Sequence, residues 1–281
     1  MIARVRKLAF RSVGYAMPDL AARWFEAVLL TPRRAPETGS ARTRTPGESS
    51  RLPYGNGWLA VRSWGEGPAV LLIHGWGATA ASLHAFVDPL VARGFRVVAY
   101  DHPAHGNSDG MRTNLIECAG AALQVGRAAG PLHAIVAHSF GGPTAAMALR
   151  YGLAASRVAL LAPPASIMEL SMDLGLALGF PRHVIERMAE RLAQRFRVDW
   201  SEIRTDRLVR ELSLPLLVVH DADDRTVPHR DGVAVARAAR RATLLTTRGL
   251  GHQGILGDAT LIERVVGFVA EDDSPLLARA V

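Results

Sequence analysis

From Ala69 onward, short apolar runs alternate with segments of helical character, and this alternation limits the fold more than any other feature. Ala69-Val70-Leu71-Leu72-Ile73 is continuously apolar, as in a strand covered on both faces. The pattern then predicts a helix over 80–93, a strand over 96–100, a helix over 114–129, a strand over 132–137, a helix over 142–151 and a strand over 157–161. It resumes later with a strand over 214–220, a helix over 230–240, a strand over 243–246 and a helix over 260–270. Repeated βα units imply an α/β fold, a mostly parallel sheet with helices on both faces. In such sheets function collects at the carboxyl ends of the strands. Upstream, a hairpin is expected from Leu52, turning at Gly55-Asn56-Gly57 and returning over 58–64.

Residues 166–212 interrupt the alternation with no strand signal. Residues 167–180 are dense in Leu, Met and Ala, and a second helix is expected from Pro181 to Arg197 with Arg and Glu alternating on its exposed face. A helical insertion here would sit over the active-site end as a cap. Its apolar residues, among them Met168, Met172 and Leu176, would either line a substrate pocket or fasten the cap to the body. The chain thus divides into a core of residues 51–165 and 213–281, a cap of residues 166–212, and an N-terminal extension.

The extension holds most of the net charge. Six of the seven net positive charges fall within residues 1–51, so the body is nearly neutral and offers no nucleic-acid groove. Residues 1–30 place apolar side chains at near-helical spacing with basic residues between them. Two readings stay open: helices packed on the body, or a basic amphipathic segment lying on an anionic membrane surface. Residues 31–50, rich in Pro, Thr, Ser, Gly and Arg, read as a flexible linker. No apolar run spans a bilayer, and charges spoil a secretory core. Cys118, the single cysteine, excludes an intramolecular disulfide and fits a reducing compartment. A cytoplasmic location follows as the expectation, with contact at the inner membrane face through residues 1–30.

The chemistry-bearing residues fall on the loops after the strands. Ala137-His138-Ser139-Phe140-Gly141 stands at a strand-to-helix junction, where a sharp turn would lift the Ser139 hydroxyl above the sheet. Acyl transfer needs two donors aimed at the developing oxyanion, and the N–H groups of Phe140 and Trp76 are placed to serve. His74, at the preceding strand end, reads as a loop organiser and a further pocket candidate. Residues 101–108 read as a rigid loop with its turn set by Pro103 and Gly106; its two histidines lack the companions of a metal site. No cofactor or metal is expected. An acid is sought among Asp221, Asp223 and Asp224: Asp221 begins the turn, Asp224 best matches the reach to a histidine, and Asp223 is the alternative. Arg248-Gly249-Leu250-Gly251-His252 supplies the base.

The order Ser139…Asp224…His252, with His74-Gly75-Trp76-Gly77, resembles the α/β-hydrolase family of the serine esterase and lipase kind over about residues 52–281. Ala137 and Ala104 stand where relatives often have glycine. The resemblance implies a serine hydrolase that cleaves carboxylic esters through an acyl-enzyme, and the Leu- and Met-rich insertion suggests short or medium apolar acyl groups. Thioesters, lactones, carbon–carbon bonds beside a ketone, or a non-catalytic binding role on the same scaffold are the alternatives.

Overall fold

The computed structural model describes residues 2–33 and 43–271. Two helices open the chain, α1 (Ile2–Ala16) and α2 (Pro18–Leu30). An antiparallel hairpin follows, β1 (Gly47–Tyr54) and β2 (Gly57–Trp64), and then β3 (Ala69–Ile73). Beyond it come a 3₁₀ helix (Ala80–Phe86), α3 (Val87–Ala92), β4 (Arg96–Tyr100), α4 (Leu115–Ala129), β5 (Leu132–His138), α5 (Gly141–Arg150) and β6 (Ala155–Leu161). The insertion holds α6 (Ile167–Leu178), α7 (Arg182–Phe196), the short α8 (Thr205–Leu208) and a 3₁₀ turn (Val209–Glu211). The chain then forms β7 (Leu216–Asp221), α9 (His229–Ala238), β8 (Ala242–Thr247), the single turn α10 (Gly251–Gly254) and α11 (Ala259–Ala270).

The eight strands form one sheet in the order β1-β2-β4-β3-β5-β6-β7-β8. Among the described residues, only the β1–β2 and β2–β4 pairs are antiparallel. Alternate residues of one strand enter opposite cores, as the pleat requires: Leu71 and Ile73 join one cluster, Val70 and Leu72 the other. This explains why β3 is apolar without alternation. The chain steps from β3 outward to β4 and returns to β5 on the other side of β3, so the strand order reverses between β3 and β5. Such a reversal opens a crevice at the carboxyl ends of the two strands.

Two expectations need correction. The helix expected over 80–93 is a 3₁₀ stretch followed by a short α-helix; Pro89, which has no N–H to give, stands in the first turn of α3. The linker expected over 31–50 is structured at its end, because the N–H groups of Arg44 and Thr45 donate to Asp88 at 2.8 and 2.9 Å and β1 begins at Gly47. Residues 34–42 of that stretch lie outside the described residues.

The N-terminal helices pack on the insertion. Phe25 of α2 is fully buried against Phe180 with ring centroids 4.9 Å apart, and Gly175 of α6 makes room, since a Cβ there would meet the Phe25 ring at 2.8 Å. Glu26 pairs with Arg191 and Arg195 of α7, and the Leu30 carbonyl accepts from the Thr113 N–H of the body at 2.9 Å.

Candidate active site

The turn from β5 into α5 carries Ser139 at φ +53, a left-handed conformation that is costly for a residue with a side chain. The surroundings hold it there. The Ser139 N–H donates to the Leu161 carbonyl, and the Gly142 N–H returns to the Ser139 carbonyl, both at 2.8 Å. Gly141 has to be glycine: a Cβ would lie 2.3 Å from the Ile73 carbonyl oxygen and 2.9 Å from that of His74. The close crossing of α5 over β3 therefore fixes the serine beside the loop after β3.

His252 reaches the serine from the turn after β8. Its Nε2 lies 2.9 Å from Ser139 Oγ, and its Nδ1 lies 2.7 Å from Asp224 Oδ2. An ionised carboxylate only accepts, so Nδ1 carries the proton and Nε2 is left to accept from the serine hydroxyl. Asp224 is buried, which pushes its pKa up. Hydrogen bonds from His220, His252 and the Val227 N–H outweigh burial and hold the carboxyl well below the usual range. Asp221 and Asp223 do different work. Asp221 Oδ2 accepts from Thr247 Oγ1 at 2.7 Å and from the Leu250 N–H at 3.1 Å; Asp223 Oδ2 accepts from the Gly249 N–H at 3.0 Å. Both therefore tie the Asp224 loop to the His252 loop.

Across the crevice, the Trp76 and Phe140 rings meet edge to face with centroids 5.0 Å apart. Among the described residues, the main-chain N–H of neither donates to a protein acceptor. His74 is buried beneath: its Nδ1 donates to the Gly75 carbonyl at 2.7 Å and its Nε2 accepts from the His102 N–H at 2.9 Å. Burial lowers its pKa to about 4, so it is a neutral strut. Asp101 accepts from the Ala80 and Asn107 N–H groups at 2.8 Å each, and Gly106 is required because a Cβ would strike that carboxylate. Ala104 takes φ +64, a left-handed conformation that is costly for a residue with a side chain. Its strain is offset in part by its own buried methyl, since burying one such group is worth about 0.8 kcal/mol. Among the described residues, no group of three or more His, Cys, Asp or Glu is placed to hold a metal ion.

Ser139 and His252 open into a cavity of about 610 Å³. Helix α6 lines it with Met168, Leu170, Leu174 and Ala177, α7 with Leu192 and Phe196, and α2 with Val28, Leu29 and Leu30. The pocket candidates need correction here. His74 is sealed below the floor. Met172 packs toward α2 and α7, and Leu176 is turned to solvent at 45% exposure. Met168, Met172 and Leu176 fall on one stripe of α6 at four-residue spacing, and of the three Met168 reaches the cavity, while residues 170, 174 and 177 lie together on another face of the helix. Sequence reasoning missed the three α2 residues and His138; an apolar excess at the end of α2 was the available signal. A second cavity of about 650 Å³, beside the β1–β2 hairpin, contains neither Ser139 nor His252.

Residues 68–231 match the family described as the alpha/beta hydrolase fold. The chain belongs to that family. This α/β hydrolase is 29% identical over 165 residues to a human serine hydrolase-like protein, covering 53% of this chain and 78% of the relative. Among solved structures, the esterase Est1E from Butyrivibrio proteoclasticus, seen with ferulic acid bound, superposes with a TM-score of 0.62 at 20% identity, covering 79% of this chain and 96% of that one. A membrane phospholipase A superposes with the same score at 18% identity, covering 93% and 95%. At these identities the superpositions establish the shared fold of the α/β hydrolase.

Proposed function

We propose that this α/β hydrolase cleaves carboxylic esters of short or medium apolar acyl groups through an acyl-enzyme on Ser139. The observation that carries this reading is the continuous chain of contacts from Ser139 Oγ to His252 at 2.9 Å and from His252 to Asp224 at 2.7 Å. His252 Nε2 takes the Ser139 proton as Oγ attacks the ester carbonyl carbon. The imidazolium so formed is stabilised by Asp224. The oxyanion is held by the Trp76 and Phe140 N–H groups, and loss of one such donor typically costs about 2.7–4 kcal/mol. The intermediate collapses, the carbon–oxygen bond to the leaving alkoxide breaks, and His252 delivers the proton to it. Water then gives its proton to His252 and attacks the acyl carbon, and Ser139 leaves with the proton returned. The insertion acts as a cap whose Met168, Leu170 and Leu174 receive the acyl chain; the largely aliphatic and aromatic lining supports that assignment.

Ser139→Ala is the direct test. Hydrolysis of an activated acyl ester should disappear, and a fluorophosphonate should label Ser139 in the unaltered protein. Full turnover by the alanine variant would overturn the reading.

A further inference from the structure

Among the described residues, ten large apolar side chains are exposed; Leu8, Tyr15, Leu20, Trp24 and Val28 lie on α1 and α2 and Met17 at the junction between them, each between 47% and 65% exposed. Such a concentration is not the scatter expected of an ordinary surface. On α2, Leu20, Trp24 and Val28 recur every four residues and form one stripe, while Ala21, Ala22, Phe25 and Leu30 are buried on the other side. The stripe does not stop at the helix end. Val28 also lines the Ser139 cavity, and so does Leu174 of α6, itself 44% exposed. An apolar surface therefore runs from α2 into the mouth of the cavity.

The charges on the two helices are sorted. The acids Asp19 and Glu26 are taken up by α7: Asp19 pairs with Arg187 at 3.0 Å, and Glu26 with Arg195 at 2.6 Å and Arg191 at 3.5 Å. The cations Lys7, Arg11 and Arg23 are exposed and form no ion pair among the described residues. What the helices present outward is apolar surface with uncompensated positive charge, which is the character of a helix that lies in the interface of an anionic bilayer. A second copy of the chain fits poorly, because a two-fold contact through this face would set the same three cations against themselves.

We propose that the outer face of α1 and α2 docks on an anionic lipid bilayer, and that an acyl ester dissolved in that bilayer enters the Ser139 cavity between Val28 and Leu174. The docking half stands without the chemistry at Ser139; the substrate half rests on the esterase reading above. Lys7, Arg11 and Arg23 would keep their charges at the headgroups while Leu20 and Trp24 enter the acyl boundary.

The test uses the full chain and sedimentation with vesicles of phosphatidylglycerol or of phosphatidylcholine. The unaltered protein should partition onto the anionic vesicles at least about tenfold better than onto the neutral ones. Leu8→Glu/Leu20→Glu, and independently Arg11→Glu/Arg23→Glu, should each lower partitioning onto anionic vesicles by about tenfold or more. Turnover of a water-soluble acetyl ester should stay within about twofold, while turnover of an octanoyl ester dissolved in the vesicles should fall with partitioning. Absence of the unaltered protein from the anionic pellet, or unchanged partitioning of both variants, would overturn the docking. So would a dimer of the unaltered protein that Leu8→Glu/Leu20→Glu dissociates, since a second copy would then cover the face. An acetyl ester left intact by every form would remove the esterase reading and the substrate half with it, leaving sedimentation to decide the docking.

Discussion

His138 Nε2 donates to the main-chain carbonyl of His252 at 3.0 Å, so the residue next to Ser139 in sequence also holds the loop that brings the imidazole to it. The two rings lie 4.8 Å apart. Burial first, and then the neighbouring His252, lower the His138 pKa to about 3, so this donor is neutral throughout the ordinary pH range. His138→Phe keeps the bulk and removes the hydrogen bond. Steady-state kinetics on a soluble ester should show kcat lowered by about tenfold, the worth of one such bond, with KM within about twofold. His138→Gln, which keeps an N–H donor, should recover part of the loss; equal loss in both variants would reduce His138 to a filler.

The assignment of the acid separates two neighbouring carboxylates. Asp224→Asn removes the charge that fixes the Nδ1–H tautomer of His252 and stabilises its imidazolium, so kcat should fall by about 10³–10⁴-fold. Asp223→Asn leaves that contact intact and disturbs only the bond from the Gly249 N–H, so kcat should fall by less than about tenfold. The reverse ranking would move the acid to Asp223.

Stability should fall on acidification, and the sign follows from the buried histidines. His74 and His138 have folded pKa values of about 4 and about 3, below the ordinary 6.5, so the unfolded chain binds more protons below that pH. Their contribution is complete above 6.5 and is lost as pH falls toward the folded values. Each should withdraw about 2 kcal/mol between pH 6.5 and 5. Asp224, whose pKa is depressed, adds its own loss only below the ordinary carboxylate range. Urea unfolding at pH 7 and pH 5 checks this: the midpoint should drop, and His138→Phe should make the drop smaller. A flat profile would contradict the burial argument.

The α2 residues in the cavity make a prediction about acyl length. Leu29 lines the cavity that holds Ser139, so Leu29→Trp should occupy acyl space. Turnover (kcat/KM) for an octanoyl ester should fall by about tenfold or more while that for an acetyl ester changes little. An equal fall for both would mean that the tryptophan disturbs the machinery rather than the pocket.

Most of the fold was legible because its signals are local. The unbroken apolar run of β3, the Gly-Pro before β5 and the glycines after Ser139 each encode a strand, a turn or a close approach within a few residues. Some boundaries moved by the reach of single bonds, as where Asp88 orders the backbone before β1. The pocket was less legible. Met168, Met172 and Leu176 share one stripe of α6, and only its packing against neighbouring helices decides that Met168 reaches the cavity while Met172 and Leu176 do not.

The sequence by itself determined the βα alternation, the small residue at 141 and the chain order of serine, aspartate and histidine, because hydrophobic period and turn chemistry act between near neighbours. Tertiary structure brought Asp224, the acid favoured from sequence, to His252 and gave Asp223 a different partner, and it alone decided that His138 braces the loop bearing His252 and that α2 closes one wall of the cavity. Those relationships join residues 28 to more than 100 positions apart. They depend on which faces pack together and on where two loops cross, and no local pattern carries that information.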